Sequence, residues 1–314
     1  MKQTQALNKS DQTVLSMKKQ ISKLRIKVMP FFYELVYGLI TPRNTSCMNL
    51  GYAPATESLA PLYFSNHERF QYELYWQTFQ QIDEALPASS VVCEVGCGRG
   101  GGLAFLKQFT PATLIGLERS LFARRVARKK FGLDVRPTTA PQLALPDASV
   151  DVFLLIESAH NYHNDALVSE LERCLKPGGQ ILLADFNLGS NENVQRKLTR
   201  IYENRGLTIE NWRDVRPNIL DSMRQDEPRK LALLKYIPSF LKDEARGFMG
   251  LVGSYKYTEM ATDKRAYFIF KARKQVAGGF KSEVQHRDDG DSLASPPGTP
   301  AMAIEQSSAP PQLS

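Results

Sequence analysis

The sequence predicts an α/β fold in which a parallel β-sheet carries helices on both faces. Short apolar runs alternate with amphipathic segments across the middle of the chain, which is typical of repeated strand–helix units. A glycine-rich turn follows the first of these runs. Acids and a histidine stand where later runs end, and ligands of such sheets bind at the carboxyl ends of the strands.

Each element follows from this alternation of apolar runs and helical patterns. The first five predicted strands lie near 91–96, 113–118, 133–138, 150–157 and 179–186. The helices between and after them are predicted near 102–109, 120–131, 165–175 and 191–205. Residues 206–215 and 265–273 have the pattern of a sixth and a seventh strand. Pro177, Gly178 and Gly179 in LKPGGQ predict a turn into the fifth strand.

The glycine-rich turn lies in VVCEVGCGRGGG, residues 91–102. Its glycines permit positive φ and let a ligand approach bare backbone. Gly96, Gly98 and Gly101 also have the G-x-G-x-x-G spacing of dinucleotide sites. Glu94, however, stands two residues before the first glycine, where a carboxylate repels a pyrophosphate and attracts an ammonium group. The turn therefore favours a zwitterionic ligand.

Glu118 ends the next predicted strand, TLIGLE. It follows the turn by about twenty residues, where an acid can bind the hydroxyls of a ribose. A ribose and an amino acid together describe S-adenosylmethionine (SAM). NAD is the less favoured alternative because of Glu94.

Four motifs, EVGCGRG, GLERS, DVFLLIESAH and LKPGGQILLAD, resemble class I SAM-dependent methyltransferases over about residues 90–186. The flanking segments MNLGYAP, ERFQYELYWQTFQQI and RGFMGLVGSYKYTEMATDKRAYFIFKARK are similar to bacterial phthiotriol and phenolphthiotriol dimycocerosate methyltransferases. They are more loosely similar to sugar and polyketide O-methyltransferases. The resemblance implies a Rossmann-like, seven-stranded sheet with an antiparallel last strand, SAM as cofactor and S-adenosylhomocysteine as product.

The pattern divides the chain into six parts. They are a basic, partly disordered arm at 1–29, a helical lid segment at 30–90, a SAM-binding core at 91–215, a helical cap inserted at 216–262, the last strand at 263–274 and a disordered tail at 275–314. The cap either covers the acceptor or extends the scaffold without touching a ligand. The tail is rich in Pro, Gly and Ser and has few large apolar residues, so it cannot offset its ordering entropy.

Charge and composition limit the classes of partner that this chain is expected to bind. The 314 residues carry a net charge of +7, and seven Lys or Arg before Pro30 face one acid, Asp11. This arm is either solvated or lies on an anionic membrane surface and brings the enzyme to a lipidic substrate. Nucleic acid is disfavoured because no stacked aromatics accompany the charge. The expected location is the cytoplasm, with or without peripheral membrane contact, and the oligomeric state is left open.

Further residues are candidates for the cofactor site. Cys97 and Gly100 complete the turn, although packing also explains Cys97, and Arg119 follows Glu118. The resembled family usually has an acid against the adenine amine after the third strand. This chain has Thr139 and Ala140 there, so a hydroxyl and backbone groups would recognise adenine.

Two more cofactor candidates each have an alternative reading. Glu157 shapes the methionine end of the pocket or bonds a backbone N–H. Tyr52 lies in a segment that folds over the cofactor in the resembled family. It either shields the sulfonium or packs in the core.

Methylation of an alcohol needs alignment and a base. Alignment can supply roughly 7–11 kcal/mol, and a general base adds about 10²–10⁴-fold. His160 in ESAHNYHND is the candidate base. In related natural-product O-methyltransferases such a histidine pairs with an acid ending the fifth strand, which here is Asp185. Alternatively, His160 caps the helix near Asp165 and Asp185 bonds a backbone amide.

The sequence therefore predicts SAM-dependent methylation of a hydroxyl on a bulky hydrophobic molecule, such as a lipid, polyketide or other secondary metabolite. No metal is expected, because His160 and His163 lack a third ligand and the cysteines lack metal-binding spacing. C- or N-methylation of a prenyl, sterol-like or amine acceptor is the alternative. A non-catalytic or RNA-directed protein of the same fold is the more distant one.

Overall fold

The computed structural model describes residues 34, 45–56, 66–138, 141–160, 163–235, 237, 239 and 242–276. The expected arm at 1–29, the tail beyond Val276 and the adenine candidates Thr139 and Ala140 lie outside these residues. Within the described part, no helix is long and apolar enough to cross a bilayer. In the same ranges, no three His, Cys, Asp or Glu side chains are grouped to hold a metal ion.

A seven-stranded sheet forms the centre of the fold. The strands are β1 (Val91–Val95), β2 (Thr113–Glu118), β3 (Asp134–Pro137), β4 (Val150–Ile156), β5 (Leu175–Leu188), β6 (Leu207–Asp214) and β7 (Arg265–Lys274). Their order across the sheet is β3-β2-β1-β4-β5-β7-β6. The first five pair in parallel, whereas β7 is antiparallel to both of its neighbours. The predicted seven-stranded α/β sheet with an antiparallel last strand is confirmed.

Helices cover both faces of this sheet. A 3-10 turn, Asn66–Glu68, leads into α1 (Arg69–Phe79), followed by α2 (Gly101–Leu106), α3 (Leu121–Phe131), α4 (Asp165–Cys174) and α5 (Asn191–Glu203). The insertion before β7 contains α6 (Arg216–Gln225), α7 (Glu227–Leu234), α8 (Lys242–Met249) and α9 (Tyr255–Ala261). Prolines lie in the first turns of α6 and α7, where a missing N–H costs no helical hydrogen bond.

Successive residues of the central strands point to opposite layers of the core. Cys93 and Phe153 pack with Leu167 and Leu198 from α4 and α5. Their strand neighbours pack with α1, α2 and α6 in a second cluster. That cluster includes Val92, Val152, Leu74, Phe105 and Ile219. Because both faces are covered, the ligand-accessible part of the sheet is its carboxyl edge.

The fifth strand differs most from its prediction. It begins at Leu175, not near residue 179, because Val150 pairs with Leu175 before the register shifts and Val152 pairs with Gln180. The expected turn at Pro177–Gly179 is therefore an irregular stretch within β5, with Gly178 at φ 77°. A sequence pattern shows the turn residues but not the pairing that continues on both sides of them.

The strand order reverses direction between β1 and β4. The chain leaves β1 toward β2 and β3, then returns on the other side of β1 as β4. Such a switch point opens a crevice outside the carboxyl ends of the two strands. The glycine-rich turn and the loop after β4 meet in this crevice.

Candidate functional site

The glycine-rich turn is fixed to the end of β2. The N–H groups of Gly96 and Cys97 both donate to the carbonyl of Leu117, at 2.7 and 3.1 Å. Gly96 has φ 79°, and a Cβ there would lie 2.6 Å from Cβ of Ser158. Only glycine fits this position, because its φ is positive and the loop after β4 packs directly on it.

Glu94 is fully buried at the end of β1. Its Oε1 accepts a 2.7 Å hydrogen bond from the Tyr75 hydroxyl, while its Oε2 is buried and has no hydrogen-bond partner in the described residues. Burial raises the pKa of Glu94 to about 8. A buried carboxylate with one free oxygen is costly unless a cation completes it, so this residue fits a ligand ammonium group.

Glu118 joins the turn to the helix that follows β2. Its Oε2 accepts from Gly98 N at 2.9 Å and its Oε1 from Ser120 N at 2.7 Å. Burial raises the pKa of this carboxyl. Each oxygen keeps a second lone pair, which fits the hydroxyls of a ribose. Arg119 is exposed, and its carbonyl accepts from Arg124.

Glu34 is a site-adjacent residue that sequence reasoning missed. Its carboxylate accepts from Ser120 Oγ at 3.0 Å and from Leu121 N at 2.8 Å, at the start of α3. The available signal was a single acid inside the apolar stretch VMPFFYELVYGLI. A carboxylate at a helix start satisfies free N–H groups, so Glu34 fixes the end of the segment that carries Glu118.

The His160 and Asp185 side chains are in contact, with His160 in the loop after β4 and Asp185 within β5, which continues to Leu188 instead of ending near residue 186. His160 Nδ1 lies 3.0 Å from Asp185 Oδ1, and Asp185 is fully buried. The imidazole stacks on the Phe186 ring, with centroids 4.2 Å apart, and its side chain keeps 21% exposure. A buried carboxylate at Nδ1 favours the tautomer with its proton there, which leaves Nε2 free to accept a proton.

Of the two alternative roles of this pair, the structure has one: Asp185 accepts hydrogen bonds from backbone amides. Asp185 Oδ2 accepts from the N–H groups of Ala159 and His160, at 2.8 and 2.9 Å. His160 does not cap α4, because Asn164 Oδ1 accepts from Ala166 N and Leu167 N. Asp185 therefore supports the loop and contacts the imidazole at the same time.

Glu157 makes the structural bonds of its alternative reading. Its Oε1 accepts from Leu50 N and from the Tyr267 hydroxyl, both at 2.7 Å. The residue has φ 47°, a left-handed conformation that non-glycine residues rarely adopt. We call residues 45–53 the strap. Glu157 anchors the middle of the strap to the end of β4.

Tyr52 lies in the strap and is buried, with 6% exposure. Its N–H donates to Phe70 O at 2.8 Å, and its hydroxyl accepts from the Arg213 guanidinium on β6 at 3.4 Å. The strap is also held by the insertion, since Ser222 Oγ donates to Leu50 O at 3.0 Å. The Tyr52 hydroxyl is thus engaged beside β6, and its shielding of a sulfonium stays a prediction.

The insertion places a buried cation near the histidine. Lys256 on α9 has 8% exposure, and its Nζ lies 4.8 Å from the centroid of the Phe186 ring. The ammonium donates to Phe248 O at 3.3 Å, and burial lowers its pKa. Sequence reasoning missed Lys256 because a lysine in a short helix is ordinarily solvated.

Known proteins resemble this chain in sequence. A family model described as a methyltransferase domain matches residues 93–183. A fatty-acid O-methyltransferase of Mycolicibacterium smegmatis is 34% identical over 173 residues, which cover 52% of this chain and 62% of that enzyme, less than two thirds of its length. A phthiotriol/phenolphthiotriol dimycocerosates methyltransferase of Mycobacterium leprae is 26% identical over 255 residues, covering 79% of this chain and 92% of the relative.

Solved structures share the fold. The cyclase SpnF has a TM-score of 0.65 at 20% identity, covering 79% of this chain and 96% of that one. Geranyl diphosphate C-methyltransferase from Streptomyces coelicolor A3(2) has a TM-score of 0.55 at 14% identity, with 72% and 89% covered. At these identities the likeness concerns the fold. The sheet order, the family match and the sequence relatives agree: residues 93–183 form a methyltransferase domain in a Rossmann-like sheet of the kind found in class I SAM-dependent methyltransferases, which supports a SAM-dependent enzyme.

Proposed function

We propose that this enzyme methylates a hydroxyl of a bulky hydrophobic molecule, such as a lipid or a polyketide. The contact between His160 and Asp185 carries the proposal. An alcohol is a poor nucleophile until its proton leaves, and a histidine held by a buried acid is suited to take that proton.

The residues of the crevice would have separate roles in binding and catalysis. SAM, when bound, supplies a methyl group on a sulfonium, which is an excellent leaving group. Glu94 would hold its ammonium and Glu118 its ribose. His160 Nε2 takes the hydroxyl proton of the acceptor, and Asp185 stabilises the imidazolium that forms. Alignment of the two substrates contributes roughly 7–11 kcal/mol and the base about 10²–10⁴-fold.

The lipid class is supported by the sequence relatives. Their names describe methylation of a fatty acid and of phthiotriol-type dimycocerosates. The large insertion before β7 lies beside the strap, because Ser222 of α6 donates to Leu50 O. An insertion next to the site can shape a pocket for a bulky acceptor.

A carboxylate is a second candidate acceptor group. Lys256 forms no ion pair within 4.0 Å in the part of the chain that the structure describes, and its ammonium contacts Phe186, on which His160 stacks. A buried cation beside the base would attract a fatty acid. A carboxylate is already ionised at neutral pH, so its methylation needs no base.

His160→Ala and His160→Gln distinguish the two acceptors. The full chain is incubated with methyl-labelled SAM and matched fatty alcohols, fatty acids and phenolic polyketides, and products are identified by mass spectrometry. Hydroxyl methylation should fall about 10²-fold or more in both variants, with SAM affinity retained in calorimetry. Unchanged turnover on a hydroxyl, or activity confined to fatty acids, would remove the proposed acceptor.

A further inference from the structure

Tyr75 connects helix α1 to Glu94, the buried acid at the end of β1. Its hydroxyl donates to Glu94 Oε1 at 2.7 Å, and both side chains are buried. The Tyr75 ring crosses directly over Gly102 in α2, where an added Cβ would lie 1.9 Å from Cζ of the ring. The absence of a side chain at 102 is therefore what lets the phenol reach Glu94.

In this contact the Tyr75 hydroxyl donates the hydrogen bond and the Glu94 carboxyl group accepts it. Burial and the neighbouring Glu94 raise the pKa of the Tyr75 phenol well above its usual value, so the phenol stays protonated and donates. A donated hydrogen bond favours the ionised form of a carboxyl group. The bond from Tyr75 thus lowers the pKa of Glu94, opposing the larger increase caused by burial.

The two oxygens of Glu94 consequently differ. Oε1 is held by the phenol, whereas Oε2 is buried without a hydrogen-bond partner in the described residues. A carboxyl group held at one oxygen loses its freedom to rotate, so the other oxygen keeps a fixed direction. A fixed acceptor binds an ammonium group with less ordering cost.

We propose that Tyr75 is a positioning residue of the methyl-donor site, which orients Glu94 and favours the carboxylate form that binds the donor's ammonium. The inference rests on the proposed assignment of Glu94 to that ammonium. It also makes donor binding depend on the packing of α1, because the hydroxyl that prepares the site belongs to that helix.

Other titratable groups face Glu94 from every element packed against it. They are Cys47 of the strap, Cys93 of β1, Cys97 of the turn, Glu118 of β2 and Tyr75 of α1. Burial raises the pKa of each of the three thiols, so they stay neutral near pH 7. Burial also raises the pKa of Glu118, and a charge there opposes ionisation of Glu94. Glu118 makes no contact with Tyr75 in the described hydrogen bonds. A change in the pH dependence of donor binding on removal of the phenol is therefore assigned to Glu94.

The test is Tyr75→Phe, with SAM and S-adenosylhomocysteine titrated calorimetrically against the ligand-free full-length protein from pH 6 to 9. At pH 7 the affinity should fall about tenfold or more, because a hydrogen bond to a charged group is lost. The pH at which affinity reaches its plateau should move upward, so that the variant approaches the wild type near pH 9.

Tyr72→Phe is the matched control. Tyr72 lies on the same helix and donates to Glu68 Oε2 at 3.1 Å instead. This variant should lower the melting temperature of the ligand-free protein and leave the pH dependence of donor affinity unchanged. An affinity curve of Tyr75→Phe that superimposes on the wild type, or falls equally at every pH, would overturn the positioning role.

Glu94→Gln separates this inference from the proposed donor site. Retained SAM affinity in Glu94→Gln overturns the assignment of Glu94 and, with it, the role of Tyr75. Weak binding in Glu94→Gln together with an unshifted curve in Tyr75→Phe overturns the role of Tyr75 alone.

Discussion

Asp185 holds both the ring and the backbone of His160. Its Oδ1 lies 3.0 Å from Nδ1 of the imidazole, and its Oδ2 accepts from the His160 N–H at 2.9 Å. One buried carboxylate therefore fixes the position of the loop and the direction of the ring that it carries. Removing its charge while keeping its shape should affect proton transfer more than folding.

Asp185→Asn is the variant that makes this change. The amide oxygen can still accept from Ala159 N and His160 N. The NH₂ group then faces Nδ1 and also the Phe186 N–H, which donates to Asp185 Oδ1 at 2.8 Å in the wild type, so some stability is lost as well. Nδ1 must then accept, and the proton moves to Nε2, where it blocks the base. We expect kcat for hydroxyl methylation to fall about 10²–10⁴-fold, with SAM affinity unchanged in calorimetry.

Tyr202→Phe provides the control for Asp185→Asn. Tyr202 hydroxyl lies 3.0 Å from Nε2 of His163, the other histidine of the same loop. Its loss should lower stability and leave kcat near the wild-type value. Equal losses of kcat in the two variants would mean that the loop, not the tautomer of His160, limits turnover.

Glu94→Gln should stabilise the ligand-free protein at alkaline pH. Burial raises the pKa of Glu94 from 4.5 to about 8, so between these values the folded state keeps a proton that the unfolded chain releases. The free energy of unfolding of the wild type therefore falls as pH rises through this window, and glutamine lacks that slope. Urea unfolding should show an advantage of at least about 1 kcal/mol for Glu94→Gln at pH 8.5.

At pH 4 the same comparison should show little difference, because the carboxyl is protonated in the folded protein and largely so in the unfolded chain. A stability difference that is constant from pH 4 to 8.5 would mean that Glu94 is ionised throughout in the folded state. Donor binding would then need no change of protonation at this residue.

Glu157→Ala should loosen the middle of the strap. The variant removes the acceptor of Leu50 N, and a buried N–H without a partner costs about 1–3 kcal/mol. Hydrogen exchange at Leu50, followed by mass spectrometry, should accelerate about tenfold or more. Glu157→Gln keeps an acceptor oxygen, so the Leu50 amide should exchange more slowly in this variant than in Glu157→Ala.

Glu68→Ala tests whether the effect is local. Glu68 Oε1 accepts from Ser46 N and Cys47 N, both at 2.8 Å, at the other end of the strap. Its loss should expose those two amides and leave Leu50 protected. Unchanged exchange at Leu50 in Glu157→Ala would favour the other role predicted for Glu157, at the methionine end of the pocket.

Local sequence patterns predict the strand ends and the side chains that stand there. Strand length and turn residues can be recognised within a few positions along the chain. The sequence therefore predicts which side chains lie near the carboxyl edge of the sheet, namely Glu94, Glu118, His160 and Asp185. Tyr75, Lys256 and Glu34 come from outside the core and depend on how separate segments pack. Tyr75 in particular belongs to a helical pattern of aromatic residues that predicts packing, and nothing local indicates that its hydroxyl reaches an acid on β1.

Gly102→Ala should disturb the donor site through the packing of Tyr75. The new Cβ would lie 1.9 Å from Cζ of the tyrosine ring, so α1 must shift or the ring must leave Glu94. We expect a loss of about 1–3 kcal/mol in the free energy of unfolding and weaker SAM binding at pH 7. Gly206→Asn is the control, since Gly206 has φ 70° and open space around a Cβ, a conformation that Asn tolerates.

The coupling between the two residues gives the sharper measurement. In a Tyr75→Ala background the ring is gone, so Gly102→Ala should cost little further stability or SAM affinity. A double-mutant cycle should then show a strong departure from additivity, as expected for residues in direct contact. Additive losses would mean that Gly102 acts on donor binding through the glycine turn itself and not through the phenol.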